Sequence, residues 1–181
     1  KTDGNNDVII GTHNGLAIRF NENDVRAMGR VTRGVKAITL KSGDYVVGMA
    51  RVEEGSELMI VTENGFGKKS EFDLFKTQKR SGMGMIGYKV TEKTGKIAGI
   101  ASIKEDEDLM LIASNGVIIR MFSAEINSLG RATQGVTLMR SDDGATVIGI
   151  AKTPHEEEKE EAVTEGEGTE NTEAPAEEVT E

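Results

Sequence analysis

The 181-residue chain carries 22 Lys and Arg against 31 Asp and Glu, a formal charge of −9; it has no Cys and two His, which excludes a disulfide framework, a thiolate metal site and a cysteine nucleophile. No apolar stretch approaches the roughly 18 residues that a membrane-spanning helix needs, and the opening KTDGNND has no apolar signal region. The charge is unevenly placed: residues 156–181 hold 12 Glu and one Lys, a local −11, which leaves 21 basic and 19 acidic residues, or +2, to residues 1–155.

The chain starts at Lys1 rather than Met, which reads as a processed chain or a fragment. After residues 1–6, a remnant between repeats, the sequence repeats itself with a period of 50 to 51 residues, as copies 7–56, 57–107 and 108–155. The first copy opens with DVIIGT, His-Asn-Gly and LAIRF, predicted as a hairpin whose two central turn positions take the positive φ that Asn and Gly adopt cheaply. His13 falls in that turn. A polar loop over 21–34 follows, then the runs VKAITL and YVVGMARV, joined by Lys41-Ser42-Gly43-Asp44. The second copy repeats the order with ELMIVT, Asn64-Gly65, FGKKS, a loop over 71–84 and a turn over 91–95. Within its loop EFDLF reads as a single helical turn, too short to stand alone. The third copy runs from DLMLIA through Asn115-Gly116, a loop over 122–135 and a turn over 141–144. Each copy closes on apolar-apolar-Gly-apolar-Ala: VVGMA, IAGIA and VIGIA.

Four short strands per repeat predict an all-β, propeller-like array of blades, three of them in this chain. Residues 156–181, almost without large apolar side chains, cannot offset their ordering entropy by burial and are expected to be disordered. His155 stands where this acidic tail begins.

Kelch repeats have a similar period but carry a Gly-Gly pair and a spaced Tyr and Trp, and this chain has no Trp. The phrases VRAMGRVTRGVKAI (25–38), NGFGKKSEF (64–72) and GRATQGVTLMR (130–140) instead resemble the C-terminal domain of the bacterial DNA gyrase A subunit, over about Asp7 to Lys152, with its topoisomerase IV counterpart as near relative. The resemblance implies a β-pinwheel of about six blades in which neighbours exchange a strand and duplex DNA wraps on a basic rim, this chain holding three blades and an acidic tail. It implies a cytoplasmic bacterial parent, an A2B2 heterotetramer with gyrase B subunits contacted through a region N-terminal to this chain. Its ATP and Mg would be handled by the cleavage core and the B subunit, none of them here. The family's box Q-R-R-G-G-K-G has no intact copy; the nearest match is Gln78-Lys79-Arg80-Ser81-Gly82-Met83-Gly84, alike at Gln78, Arg80, Gly82 and Gly84. An intact box upstream of Lys1 would settle gyrase against topoisomerase IV. The family's catalytic tyrosine belongs to another region; Tyr45 and Tyr88 lie in predicted strand segments, with no claim to cleave DNA.

DNA presents a regular line of phosphates and a repeated blade a regular line of cations. The candidate phosphate contacts are therefore the basic residues recurring at one phase: Arg19, Lys69 and Arg120 after the hairpin turns, and Arg30, Arg80 and Arg131 in the loops. Their neighbours Arg33, Lys36, Lys68, Lys76, Lys79, Lys89 and Arg140 complete the set. Phe66, Phe72 and Phe75 read as core or loop anchors rather than stacking platforms for single strands. A propeller-type protein scaffold is the main alternative, and an independent hydrolase a weak one, since no nucleophile or carboxylate pair recurs.

Overall fold

A computed structural model describes residues 2–140 and 144–156. The expected tail, 156–181, lies outside them from residue 157 on, as do residues 141–143 of the expected last turn. The strands are β1 (Asp7–Thr12), β2 (Leu16–Asn21), β3 (Val46–Arg51), β4 (Ser56–Thr62), β5 (Phe66–Glu71), β6 (Met85–Ile86), β7 (Ile97–Lys104), β8 (Glu107–Ala113), β9 (Ile118–Phe122), β10 (Val136–Thr137) and β11 (Val147–Pro154). Short 3-10 turns follow β2, β5 and β9, at Glu22–Asp24, Phe72–Leu74 and Ser123–Glu125, so the helical turn expected at EFDLF is present in all three copies.

The Asn-Gly hairpins form, but not with both central residues at positive φ. Gly15, Gly65 and Gly116 have φ of 87°, 75° and 87°, while Ser81 alone among described non-glycine residues is positive. The amides of these glycines bond to Thr12, Thr62 and Ala113 carbonyls at 3.0 Å, the pattern of a three-residue connection closed by a left-handed glycine. The extra residue is His13, Glu63 or Ser114, and at His13 and Glu63 it reaches the next blade: Ile97 N donates to His13 O and Val147 N to Glu63 O.

Where it forms a strand, the third predicted run of a copy follows the strand exchange that the resemblance implies. It does not join its own sheet: β6 of copy two pairs with β2 of copy one, and β10 of copy three with β5 of copy two. The sheets are thus β3-β1-β2-β6, β10-β5-β4-β7 and β11-β8-β9. Residues 35–40 of copy one form no strand among the described residues, and sheet three has no fourth strand among them. Gly84 and Gly135, with φ of 72° and 73°, stand immediately before these two-residue pieces and turn each onto its neighbour's edge.

Strand alternation sends side chains to two faces, and on the middle blade both are buried. Leu58 and Ile60 of β4 face blade one, joining Ile9, Ala17, Ala50, Phe72, Phe75, Tyr88 and Ile100. Met59 and Val61 face blade three, joining Ile103, Leu109, Leu111 and Met139. The glycine of the closing motif is the seat for a knob from the next blade. A Cβ on Gly48 would stand 3.1 Å from Ile100 Cγ1, and one on Gly99 would stand 3.0 Å from Ile150 Cγ1. Seating such an isoleucine is worth about 1.5–3 kcal/mol. At the two ends of the array the matching positions are open: Met49, in the knob position, is 61 % exposed, and a Cβ on the last seat, Gly149, would meet only Ile112 Cδ1 of its own blade, at 3.9 Å.

Candidate nucleic-acid interface

The cations after the hairpin turns recur because each has a carboxylate partner at the start of the preceding strand. Arg19 Nε donates to Asp7 Oδ2 at 2.9 Å, Lys69 Nζ lies 3.3 Å from Glu57 Oε2, and Arg120 Nε donates to Asp108 Oδ2 at 2.6 Å. The hairpin register pairs Asp7 with Asn21 and Ile9 with Arg19, so Arg19 lies diagonally across from Asp7 at the same end of the strand pair, within reach of it. Burial by itself would raise the Asp7 carboxyl, but hydrogen bonds from Asn21, Arg19 and Thr77 outweigh it and hold the group below the usual range. Asp108 behaves alike, burial being outweighed by His155 and Arg120. Arg19 also donates to Phe72 O at 2.8 Å, so it ties blade one to the 3-10 turn of blade two.

The loop arginines recur for a second structural reason. Arg80 donates from Nη1 to Lys36 O at 3.0 Å and from Nε to Asp24 O at 2.9 Å. Arg131 Nη1 makes the equivalent bond to Ile86 O. Each staples its loop to the run that the preceding copy would lend to its own neighbour. The box-like loop is held the same way: Ser81 Oγ donates to Lys36 O at 2.8 Å and Thr39 N donates to Gly82 O at 2.8 Å. Ser81 sits at φ 70°, where the resembled box carries Gly, and Gly84 passes so close to Ala17 that a Cβ there would be 2.5 Å from the Ala17 carbonyl oxygen.

Two of the candidate contacts are not at the surface. Lys68 is 0 % and Lys69 4 % exposed, so neither can meet a phosphate, and Arg19 is largely covered as well. The exposed candidates are Arg30, Arg33, Lys36, Lys76, Lys79, Lys89, Arg120 and Arg140, with Arg80 and Arg131 partly so. Among the described residues no ion pair occupies Arg30, Arg33, Lys36, Lys76, Lys79, Lys89 or Arg140, nor do their side chains donate hydrogen bonds to protein acceptors. Recurrence of charge thus has a structural cause at five of the six phased cations, Arg30 being the free one, and all their candidate neighbours but Lys68 are free. The signal that could have shown this was present, since Asp7, Glu57 and Asp108 recur at one phase as well.

Tyr45 and Tyr88, expected within strands, lie just outside them, Tyr45 immediately before β3 and Tyr88 in a bend two residues after β6. Phe72 and Phe75 are core, at 5 % and 1 % exposed. At the far end His155 Nδ1 lies 2.8 Å from Asp108 Oδ1, and its ring stacks on Phe122 with centroids 3.9 Å apart. His155 thus takes the place that Asn21 fills in copy one, where its side chain donates to Asp7 Oδ1 at 3.0 Å.

Carboxylates gather elsewhere. Glu53, Glu54, Glu71 and Asp73 line one surface cleft, and Glu57, Glu105 and Asp106 line its neighbour. Among the described residues no group of three or more His, Asp or Glu is arranged to hold a metal ion, and no helix is long and apolar enough to cross a membrane.

Comparison with known proteins agrees with this architecture. The family described as the DNA gyrase C-terminal domain, a beta-propeller, matches three times, over residues 6–53, 56–104 and 107–154. The chain is 45 % identical over 150 residues to the DNA gyrase A protein of Lawsonia intracellularis, covering 81 % of this chain and 18 % of that protein. Among solved structures it is similar to the C-terminal domain of DNA topoisomerase IV, at TM-score 0.79 and 25 % identity over 84 % of this chain and 48 % of that one. It is similar also to the DNA gyrase A C-terminal domain, at TM-score 0.78 and 28 % identity over 83 % of this chain and 52 % of that one.

Proposed function

Because the chain belongs to the DNA gyrase C-terminal domain family, we propose that it is the DNA-binding and DNA-wrapping part of a type IIA topoisomerase A subunit, bending duplex DNA along its loops in support of ATP-dependent negative supercoiling. Its partners on this reading are duplex DNA and, through regions outside this chain, a gyrase B subunit in an A2B2 assembly, with ATP and Mg handled there. The chain spans about a fifth of the length of the gyrase protein it matches, so cleavage and ATP hydrolysis belong to the parent.

The observation that carries the reading is the series of exposed, unpaired cations on successive loops: Arg30, Arg33 and Lys36, then Lys76, Lys79 and Lys89, then Arg140. A row of fixed cations on rigid blades neutralises phosphates without reading bases, and counterion release makes such binding fall steeply with salt. Bending a 20–30 base-pair site by 40–90° costs about 1–6 kcal/mol, which several such contacts must offset.

The test is duplex affinity across a salt series. Reversing Arg33, Lys79 and Arg140 together to Glu should weaken binding and reduce the slope of log affinity against log salt by roughly 3, about 0.9 per phosphate contact. If residues 1–155 alone show no affinity for duplex at low ionic strength, the reading fails.

A further inference from the structure

We propose that Lys68 is a positioning residue of the rim: its buried ammonium clamps the 127–135 segment of copy three onto blade two and so fixes how that stretch meets a phosphate backbone. The proposal rests on the duplex-binding reading above.

Lys68 lies on β5 with no exposed surface. Its Nζ donates to Gly130 O at 2.6 Å, to Arg131 O at 2.6 Å and to Thr133 Oγ1 at 3.1 Å, which employs all three ammonium hydrogens on one turn of the neighbouring copy. The same ammonium stands 5.4 Å from the centroid of the Tyr88 ring, whose hydroxyl donates to Gln134 O. Next along β5, Ser70 Oγ donates to Leu129 O at 2.8 Å, and the Lys69 backbone exchanges hydrogen bonds with Asn127 and Leu129.

The equivalent positions in copies one and three are Ile18 and Ile119, so an apolar side chain is all the blade requires there. Against Ile18 the junction closes by contact instead, a Cβ on Gly82 standing 3.5 Å from Ile18 Cδ1. What Lys68 adds is direction, because three acceptors on one turn define its orientation as packing cannot. Burial, and then the charge of Arg131, push its pKa down to about 8, which leaves it mostly protonated at neutral pH. The turn it holds carries Arg131 and accepts the Lys89 amide at Thr133 O, 3.0 Å away, so both cations are aimed through it.

The experiment compares the 181-residue chain with its Lys68→Met variant by amide hydrogen exchange without DNA and by duplex binding across salt. Protection at the Lys89 and Leu129 amides should fall about tenfold or more while the β1–β2 ladder is unchanged. Duplex affinity should fall roughly threefold to tenfold, and adding Lys89→Ala should cost little more, whereas adding Arg33→Ala should multiply the losses. Unchanged protection, or independent losses for Lys68→Met and Lys89→Ala, overturns the proposal. Should Lys68→Met not fold, Thr133→Val removes one acceptor from the exposed side and is held to the same outcomes. A native chain without duplex affinity at low salt sinks the duplex reading itself, and exchange measured without DNA tells that failure from failure of the clamp.

Discussion

Arg19 and Arg33 stand 14 positions apart in copy one, and the same charge argument selects both, yet their surroundings assign them opposite roles. Arg19 is held by Asp7 and the Phe72 carbonyl, its side chain 16 % exposed; Arg33 is exposed. Arg19→Ala should therefore destabilise the fold by about 2 kcal/mol, because it strands a covered carboxylate and a carbonyl. At a temperature where the variant stays folded, its duplex affinity should remain within about twofold of native. Arg33→Ala should do the reverse, leaving stability within about 0.5 kcal/mol while weakening binding. Urea midpoints and fluorescence anisotropy on the two variants separate the roles. Lys68 gives the residue scale its pH dependence. Its pKa falls from 10.5 unfolded to about 8 folded, so between those values the unfolded chain holds more protons and stability rises with pH. Above about pH 10 the buried Tyr88 opposes this: burial raises its pKa, the unfolded phenol ionises first, and stability falls again. Denaturation followed from pH 8 upward should show the rise in the native chain and none in Lys68→Met.

At the scale of the element, the exchanged strand depends on a few glycines more than on strand propensity. Gly84 at φ 72° has the Ala17 carbonyl where a Cβ would go; Gly34, its counterpart at φ 77°, has open space. Gly34→Ala should cost only the left-handed penalty, about 1–2 kcal/mol, whereas Gly84→Ala should cost clearly more and expose the β2 edge. Urea unfolding of both, with hydrogen exchange at Met85 and Ile86, measures the difference as the contribution of the exchange. The same contrast shows what could be read from residues alone. The repeat, the hairpins and the closing Gly motif were legible, because period-2 alternation and turn chemistry are local. The destination of VKAITL and its counterparts was not: a run of apolar residues says that it pairs, never with which sheet, and only the resemblance supplied the exchange. The ion pairs were half legible, since phased Asp and Glu accompany the phased Arg and Lys, but their distance across a hairpin depends on register. The buried state of Lys68 had no signal beyond its replacement by Ile in the other two copies.

At the scale of the molecule, the charge divides into a +2 body and a −11 segment joined to it after His155. That junction is fixed in place: His155 stacks on Phe122 and bonds to Asp108, whose other oxygen holds Arg120. Twelve glutamates are thereby tethered to one end of a blade array that carries exposed cations. A tethered polyanion acts at an effective concentration of about millimolar, comparable to or above that of any duplex added in an assay. It can therefore compete for the same cations without a defined binding site. Because the competition is between charges, it must fade as the screening length shrinks, from about 10 Å at 0.1 M salt to about 3 Å at 1 M. Removing residues 156–181 should accordingly raise duplex affinity severalfold at about 50 mM salt and leave it almost unchanged at several times that concentration. A tail that only aids solubility predicts equal affinities at both, so paired salt titrations of residues 1–155 and 1–181 decide the matter, and equal affinity at low salt eliminates the competitor role.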